Sequence, residues 1–257
     1  MYGGYFGDYL LRKELISSSE YDEISSLSCL DFIENLKNVK KISTEDIDKL
    51  VLAFRSEMDL TDERLEAIKS GDIDKIINAM TYCVEDDFDY AHNIFLKWLL
   101  KAIHSFVSPK KLIIKPVRVT RKYAFENLAY LEIEEPLGLS VSLSGNGTNL
   151  LTIANSFLDF GFTEMDEESF DALCEFLNSI CGMYVSEISV QEDIEADLKV
   201  PSYYKDQMMK ARPKYFKNHI MSSGGLIHLM PLVIDNKEIE LLVTQNTINE
   251  FQPSKDI

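Results

Sequence analysis

Four residues at helical spacing, Asp171, Glu175, Asn178 and Gly182, are the part of this chain whose types and intervals could do chemistry. They fall at i, i+4, i+7 and i+11, so an acid, a second acid, a carboxamide and a bare patch of backbone line one ridge of a helix. Carboxylates bring negative charge, and a carboxamide donates and accepts hydrogen bonds without titrating near neutral pH. Such a ridge could be pushed into another protein's cleft. Taken alone it is also what a solvated helix face looks like, so the surrounding elements decide its weight.

The helix that carries the ridge is expected over Glu168 to Tyr184, after Thr163-Glu164-Met165-Asp166. Its apolar face is Phe170, Leu173, Cys174, Leu177, Ile180, Cys181 and Tyr184. Upstream, Glu85-Asp86-Asp87 could cap a long helix from about Phe88 to Val107, which Ser108-Pro109 ends. Three strands follow, Leu112 to Thr120, Leu128 to Ile133 and Leu139 to Ser144, and then a turn, Ser144-Gly145-Asn146-Gly147-Thr148, feeding a helix from about Asn149 to Phe160. The Gly-x-Gly reads as a plain turn, not a phosphate cradle, because no parallel βαβ unit precedes it. Beyond the ridge helix, Ser186 to Val200 alternates loosely as a strand, Pro201-Ser202-Tyr203-Tyr204 breaks it, and residues 205 to 222 read as a basic loop or short helix. Leu226 to Ile234 and Glu238 to Val243 flank Asp235-Asn236-Lys237 as a hairpin. The polar tail from Asn246 is expected to fray.

The first eighty or so residues read as an acidic helical module: Phe6 to Ile24 as helix, serine turn and second helix with Ser19 as a candidate N-cap, then Leu30 to Leu36, Thr44 to Phe54 and Thr61 to Met80. The chain therefore divides into an acidic helical module (1–84), a main domain (85–246) and a flexible tail (247–257). The fold class is α+β, an antiparallel sheet covered by three helices and preceded by a small all-α module.

The net charge of −17 argues against a nucleic-acid or anionic-membrane surface, since counterion release needs a basic footprint. No apolar run approaches the length of a transmembrane helix, and the N-terminal Met1-Tyr2-Gly3-Gly4 lacks a basic segment leading into an apolar one; a cytoplasmic location is expected. Cys29, Cys83, Cys174 and Cys181 show no Cys-x-x-Cys spacing and read as buried reduced thiols. His92, His104, His219 and His228 show no metal-ligand spacing, so no metal site is expected. Lys205, Lys210, Arg212, Lys214 and Lys217 read as loop-coating bases that would suit an acidic partner.

From about Asp86 to Thr244 the chain resembles the chemotaxis phosphatase family that includes CheC, CheX and FliY. The resemblance rests on an acid, three residues, Glu, two residues, Asn, twenty-two residues and Pro, here Asp171, Glu175, Asn178 and Pro201. Asn178-Ser179-Ile180-Cys181-Gly182 also resembles the continuation found in the CheX-like branch. A second trace has Asp86, Asn93 and Pro116 at the same intervals, with Tyr90 where the glutamate would stand. Family members have two pseudo-symmetric halves, so this is similar to a degenerate first copy, as in CheX. Residues Gly7 to Ile16 distantly resemble small helical modules that open bacterial secretion and signalling proteins. Some of these bind cyclic dinucleotides, but the glutamine-ended motif is missing and a packing or docking module is the plainer reading.

The resemblance implies removal of phosphate from the phospho-aspartate of a CheY-like response regulator. Asn178 would hold the attacking water in line, Glu175 would anchor the regulator's lysine, Asp171 would repel a wrong partner, pair with a basic residue or only face solvent, and Gly182 would leave room for the partner's backbone. No cofactor is implied in this chain, and Mg²⁺ is expected on the partner. A homodimer is implied as well. The alternative is a non-catalytic response-regulator-binding or scaffold protein of the same fold.

Overall fold

A computed structural model describes residues 2–26, 32–81, 90–108, 112–213, 215–216, 219–220, 225–235, 237–245 and 247–253. The expected Glu85-Asp86-Asp87 cap, Cys29, Cys83, Lys214 and Lys217 lie outside them. The chain divides into two compact units, residues 1–80 and 81–257.

The first unit holds α1 (Tyr2–Arg12), α2 (Ser18–Ser26), α3 (Phe32–Lys40), α4 (Thr44–Glu57), α5 (Asp62–Ser70) and α6 (Ile73–Thr81). Ser43 and Thr61 cap α4 and α5, accepting from the amides of Asp46 and Arg64. The stretch from Thr61 to Met80 is two helices, because Gly71 takes a left-handed conformation (φ 70°) that stops α5. The cap of α2 is Ser17 rather than Ser19: the Ser17 hydroxyl accepts from the Glu20 amide, and the Glu20 carboxylate accepts from the Ser17 amide. Phe6, Tyr9 and Phe54 pack ring to ring in the core. Gly7 is needed there, since a Cβ would stand 2.4 Å from the Tyr21 ring.

The second unit opens with α7 (Tyr90–Val107), followed by β1 (Leu112–Ile114), β2 (Arg118–Thr120), β3 (Lys122–Ile133), β4 (Leu139–Gly145), α8 (Gly147–Leu158) and α9 (Glu167–Glu192). It ends with β5 (Ser202–Pro213), the small pair β6 (Tyr215–Phe216) and β7 (His219–Ile220), then β8 (Ile227–Ile234), β9 (Lys237–Gln245) and β10 (Thr247–Pro253). The main sheet is antiparallel, in the order β1-β8-β9-β4-β3-β5-β10, with β2 also on β8. Pro116 lacks an amide proton and sits where the expected strand Leu112 to Thr120 breaks into β1 and β2. Chain order and sheet order together show two halves: α7, β1/β2, β3, β4 repeats as α9, β5, β8, β9, and exchanging the sets maps the strand order from β1/β2 to β5 onto itself.

Helices α8 and α9 pack on the sheet, and α7 packs against both. Away from the helices the sheet curls. Asn249 on β10 donates to the Tyr130 hydroxyl at 3.2 Å and the Thr244 hydroxyl at 3.0 Å, although four strand spacings, about 19 Å in a flat sheet, separate β9 from β10. A second core lies there, with Phe125, Leu128, Tyr130, Met209, Ile227, Leu229 and Leu242 under Tyr204 and Phe251.

Three expectations are corrected. Ser186 to Glu192 is helix, not strand: Ile188 continues the buried face one turn beyond Tyr184, and α9 stops at Asp193, which is left-handed (φ 56°). Residues 202–213 are the strand β5, where the sequence predicts a break over 201–204 and a loop or short helix over 205–222. Left-handed Asp206 (φ 49°) leaves itself and Glu126 out of the ladder and hides the alternation of buried Met209 and Ala211 with outward Lys210 and Arg212. Residues 247–253, expected to be flexible tail, form β10 along the whole outer half of β5. The hairpin of β8 and β9 forms as expected, and among the described residues no helix is long and apolar enough to cross a membrane.

Candidate functional site

The ridge lies on α9, whose start is fixed by a capping box. The Asp166 carboxylate accepts from the Ser169 amide at 2.9 Å, and the Ser169 hydroxyl accepts from the Asp166 amide at 2.8 Å. The Ser169 backbone amide, and after it the Ser169 side chain, hold the Asp166 carboxyl below its ordinary range.

Ala172, Leu173, Cys174, Phe176, Leu177, Ile180, Cys181, Tyr184 and Ile188 are buried, so more than half of the helix circumference is turned inward. What remains is narrow. Asp171 and Glu175 are exposed, Asn178 and Gly182 are half-buried, and the four span about 16 Å of helix axis. The structure therefore places all four sequence-predicted residues on one outward strip.

The strip is electrostatically unanswered. Among the described residues, Asp171, Glu175 and Asn178 have no hydrogen-bond or ion-pair partner for their side chains. Lys199 in the returning chain pairs with Glu132, and Lys205 lies over the Phe170 ring at 4.9 Å and donates to the Met165 carbonyl at 3.1 Å. Both carboxylates also act on Cys174, whose thiol is pushed up to about 11, first by burial and then by Asp171 and Glu175. Cys181, buried behind them, is pushed up to about 12 by burial alone. Both cysteines are free and buried, as their place on the apolar face predicts.

Gly182 is not demanded by packing. A Cβ there would meet only Leu198 Cδ1 at 3.8 Å, an ordinary contact, and a glycine inside a helix costs about 0.5–1 kcal/mol relative to alanine. Gly147 is the contrasting case, where a Cβ would stand 2.8 Å from Met165 Cγ. The amides at the start of α8 are taken up internally: the Asn146 side chain accepts from Asn149, and the Gly147 amide donates to Glu126. The plain-turn reading of that loop fits.

The interval to Pro201 has a structural reason. After α9 stops, the chain runs back along it: Leu198 touches the Gly182 position, and Tyr203 stacks on Phe170 with ring centroids 4.5 Å apart. The return segment is pinned to β3, with the Glu134 amide donating to the Asp197 carbonyl, the Lys199 amide to the Glu132 carbonyl, and Leu198 bridging Ile133. Pro201 thus enters β5 beside the ridge. Leu198 and Tyr203, which frame the ridge, carry no signal in the sequence, because their place depends on where α9 stops.

In the first half, Pro116 is buried between β1 and β2. Asp86 lies outside the described residues, as do the side chains of Tyr90 and Asn93. Of the histidines, His228 is buried in β8 and His104 is exposed on α7.

No protein-family model matches the chain, and no curated protein matches it. Solved structures do. CheX from Desulfovibrio desulfuricans matches at 13% identity and a TM-score of 0.46, over 61% of this chain and 99% of that one. A CheC-like protein from Shewanella sp. PV-4 matches at 20% identity and 0.45, over 63% and 97%. CheX from Borrelia burgdorferi, solved in a complex with CheY, BeF3 and Mg²⁺, matches at 15% identity and 0.45, over 61% and 97%. By fold, this chain is similar over about three-fifths of its length to CheX and CheC-like chemotaxis proteins.

Proposed function

We propose that this chain hydrolyses the phospho-aspartate of a CheY-like response regulator. The observation that carries the reading is the outward strip of α9, where two unpaired carboxylates and a carboxamide stand beside a glycine that the fold does not require.

The reaction asks little of such a strip. An acyl phosphate is already activated, and the charge that spreads over its phosphoryl oxygens is met by the Mg²⁺ and lysine that belong to the receiver. Water attacks phosphorus, the bond from phosphorus to the aspartyl oxygen breaks, and the products are the aspartate carboxylate and inorganic phosphate. The carboxamide of Asn178 accepts a hydrogen bond from the water and donates to a phosphoryl oxygen, which fixes the water in line. Glu175, one turn nearer the N-terminus, takes the receiver's lysine as a charge-assisted partner. Asp171, a further turn out, adds negative charge where the receiver docks. Lys199 and Lys205 are engaged elsewhere, so in this reading the cation that answers these acids comes from the partner.

The test is the decay of a receiver domain phosphorylated with acetyl phosphate. Wild-type protein should accelerate loss of phosphate, and Asn178→Ala should remove the acceleration without lowering the melting temperature. A flat response to wild-type protein from every receiver encoded in the same genome would refute the reading. Tight binding without acceleration would instead favour a receiver-binding scaffold.

A further inference from the structure

The return segment beside the ridge contains a bulge, and the bulge decides where one side chain points. On β3, Tyr130 pairs with Ser202 and Ile133 with Leu198. Leu131 and Glu132 therefore face Lys199, Val200 and Pro201, an extra residue on the outer chain. Since the Lys199 amide still bonds to Glu132, the extra residue falls at Val200-Pro201. The faces agree: Leu198 and Tyr203 both meet α9 although they are five residues apart, an odd separation that regular alternation forbids and one inserted residue permits. Proline suits the place because it has no ladder proton to lose.

The bulge turns Val200 outward, and it is 87% exposed. Its position along α9 is bracketed by Leu198 at Gly182 and Tyr203 at Phe170, which sets Val200 beside the turns that carry Glu175 and Asn178. It is also held stiffly. Its β-branch restricts χ1, Pro201 restricts its backbone to extended conformations, and Lys199 before it is tied to β3. An apolar group presented rigidly at the edge of a charged strip loses little entropy when a partner covers it.

We propose that Val200, mounted on the Val200-Pro201 bulge, is the apolar docking residue of the phosphatase site: it packs against the receiver next to the phosphoryl group and sets the affinity for it. This rests on the function proposed above. The partner it fits is a receiver face with an apolar patch adjoining its cationic, phosphorylated pocket, the acids of the ridge meeting the cation and Val200 the patch.

The test replaces Val200 by Asp in the full chain, with Val190→Asp as control. Val190 is equally exposed but lies on the last turns of α9, about 12 Å of helix beyond Gly182. With acetyl-phosphate-labelled receiver, Val200→Asp should raise KM about tenfold or more and leave kcat within about twofold, whereas Val190→Asp should match wild type. Both variants should melt like wild type. An unchanged KM for Val200→Asp in an active preparation would overturn the inference and leave the phosphatase reading standing. If wild type does not accelerate phosphate loss, the phosphatase reading fails and calorimetric binding to a Mg²⁺/BeF3-loaded receiver decides: weakening by Val200→Asp alone supports the docking role, and equal binding by all three proteins, or none, overturns it.

Discussion

Helices α7 and α9 occupy corresponding places in the two halves of the sheet, each followed by a strand at the outer side of the other half. Their sequences align at a constant offset, which sets Tyr90 against Glu175, Asn93 against Asn178 and Lys97 against Gly182. The second half keeps an acid, an amide and a bare backbone in line. The first has an aromatic ring for the acid and a long cation for the glycine. The returning chain differs too: Pro116 is buried and splits its strand in two, while Pro201 leads from a bulge into β5. The role of α7 lies in the packing. Phe95 meets Tyr184 edge to face at 4.6 Å, and the Trp98 indole donates to Glu187 at 2.8 Å. One half thus buttresses the helix on which the other displays its groups.

That division can be broken in graded ways. The largest effect should come from Phe95→Ala, which leaves a cavity under Tyr184; it should cost about 3–5 kcal/mol in denaturant unfolding and leave kcat of the folded fraction unchanged. A selective loss of kcat at full stability would mean that α7 takes part in the chemistry. Next is Glu175→Lys, which sets like charge against the receiver's lysine and should lower kcat/KM about a hundredfold with no loss of stability, since Glu175 has no partner to lose among the described residues. Gly182→Ala should raise stability by about 0.5–1 kcal/mol and yet weaken binding to the receiver. Stronger or equal binding would remove the glycine from the site.

The smallest effect is alkaline. Thiols in the unfolded chain ionise near pH 8.5–9, whereas Cys174 and Cys181 are pushed up to about 11 and about 12. The folded state therefore holds its protons longer. Stability from these groups is fully present below about pH 9 and falls as pH rises toward 12. Half-buried Tyr123 and buried Tyr130 are also raised and add the same sign. Replacing both cysteines by alanine should flatten the slope of unfolding free energy between pH 9 and 11, measured against the same variant at pH 7. Glu175→Gln should lower the pH at which Cys174 becomes alkylated, because one of the acids that raises it is gone.

The ridge was legible in the sequence because helical period is a local property: the wide apolar face of Phe170 to Tyr184 leaves only one strip for Asp171, Glu175, Asn178 and Gly182. The β8-β9 hairpin was legible for the same reason. What escaped depends on partners far along the chain. Ser186 to Val200 mixes polar and apolar residues in a way that suits strand or helix, and Asp193 in the left-handed region decides between them. β5 was hidden by the interruption at Asp206, and β10 by its polar outer face; it is a strand because β5 offers it an edge and because Phe251 stacks on Tyr204 at 3.9 Å. The bulge at Val200-Pro201 is invisible without the β3 register.

The most direct test of the claim that one half acts and the other supports is phosphate release from a phosphorylated CheY-like receiver, measured side by side with Asn178→Ala and Asn93→Ala. The proposal predicts that Asn93→Ala keeps the wild-type rate within about twofold while Asn178→Ala falls to the receiver's own decay, a loss on the order of a hundredfold. Equal losses in the two variants, or a loss confined to Asn93→Ala, would contradict it.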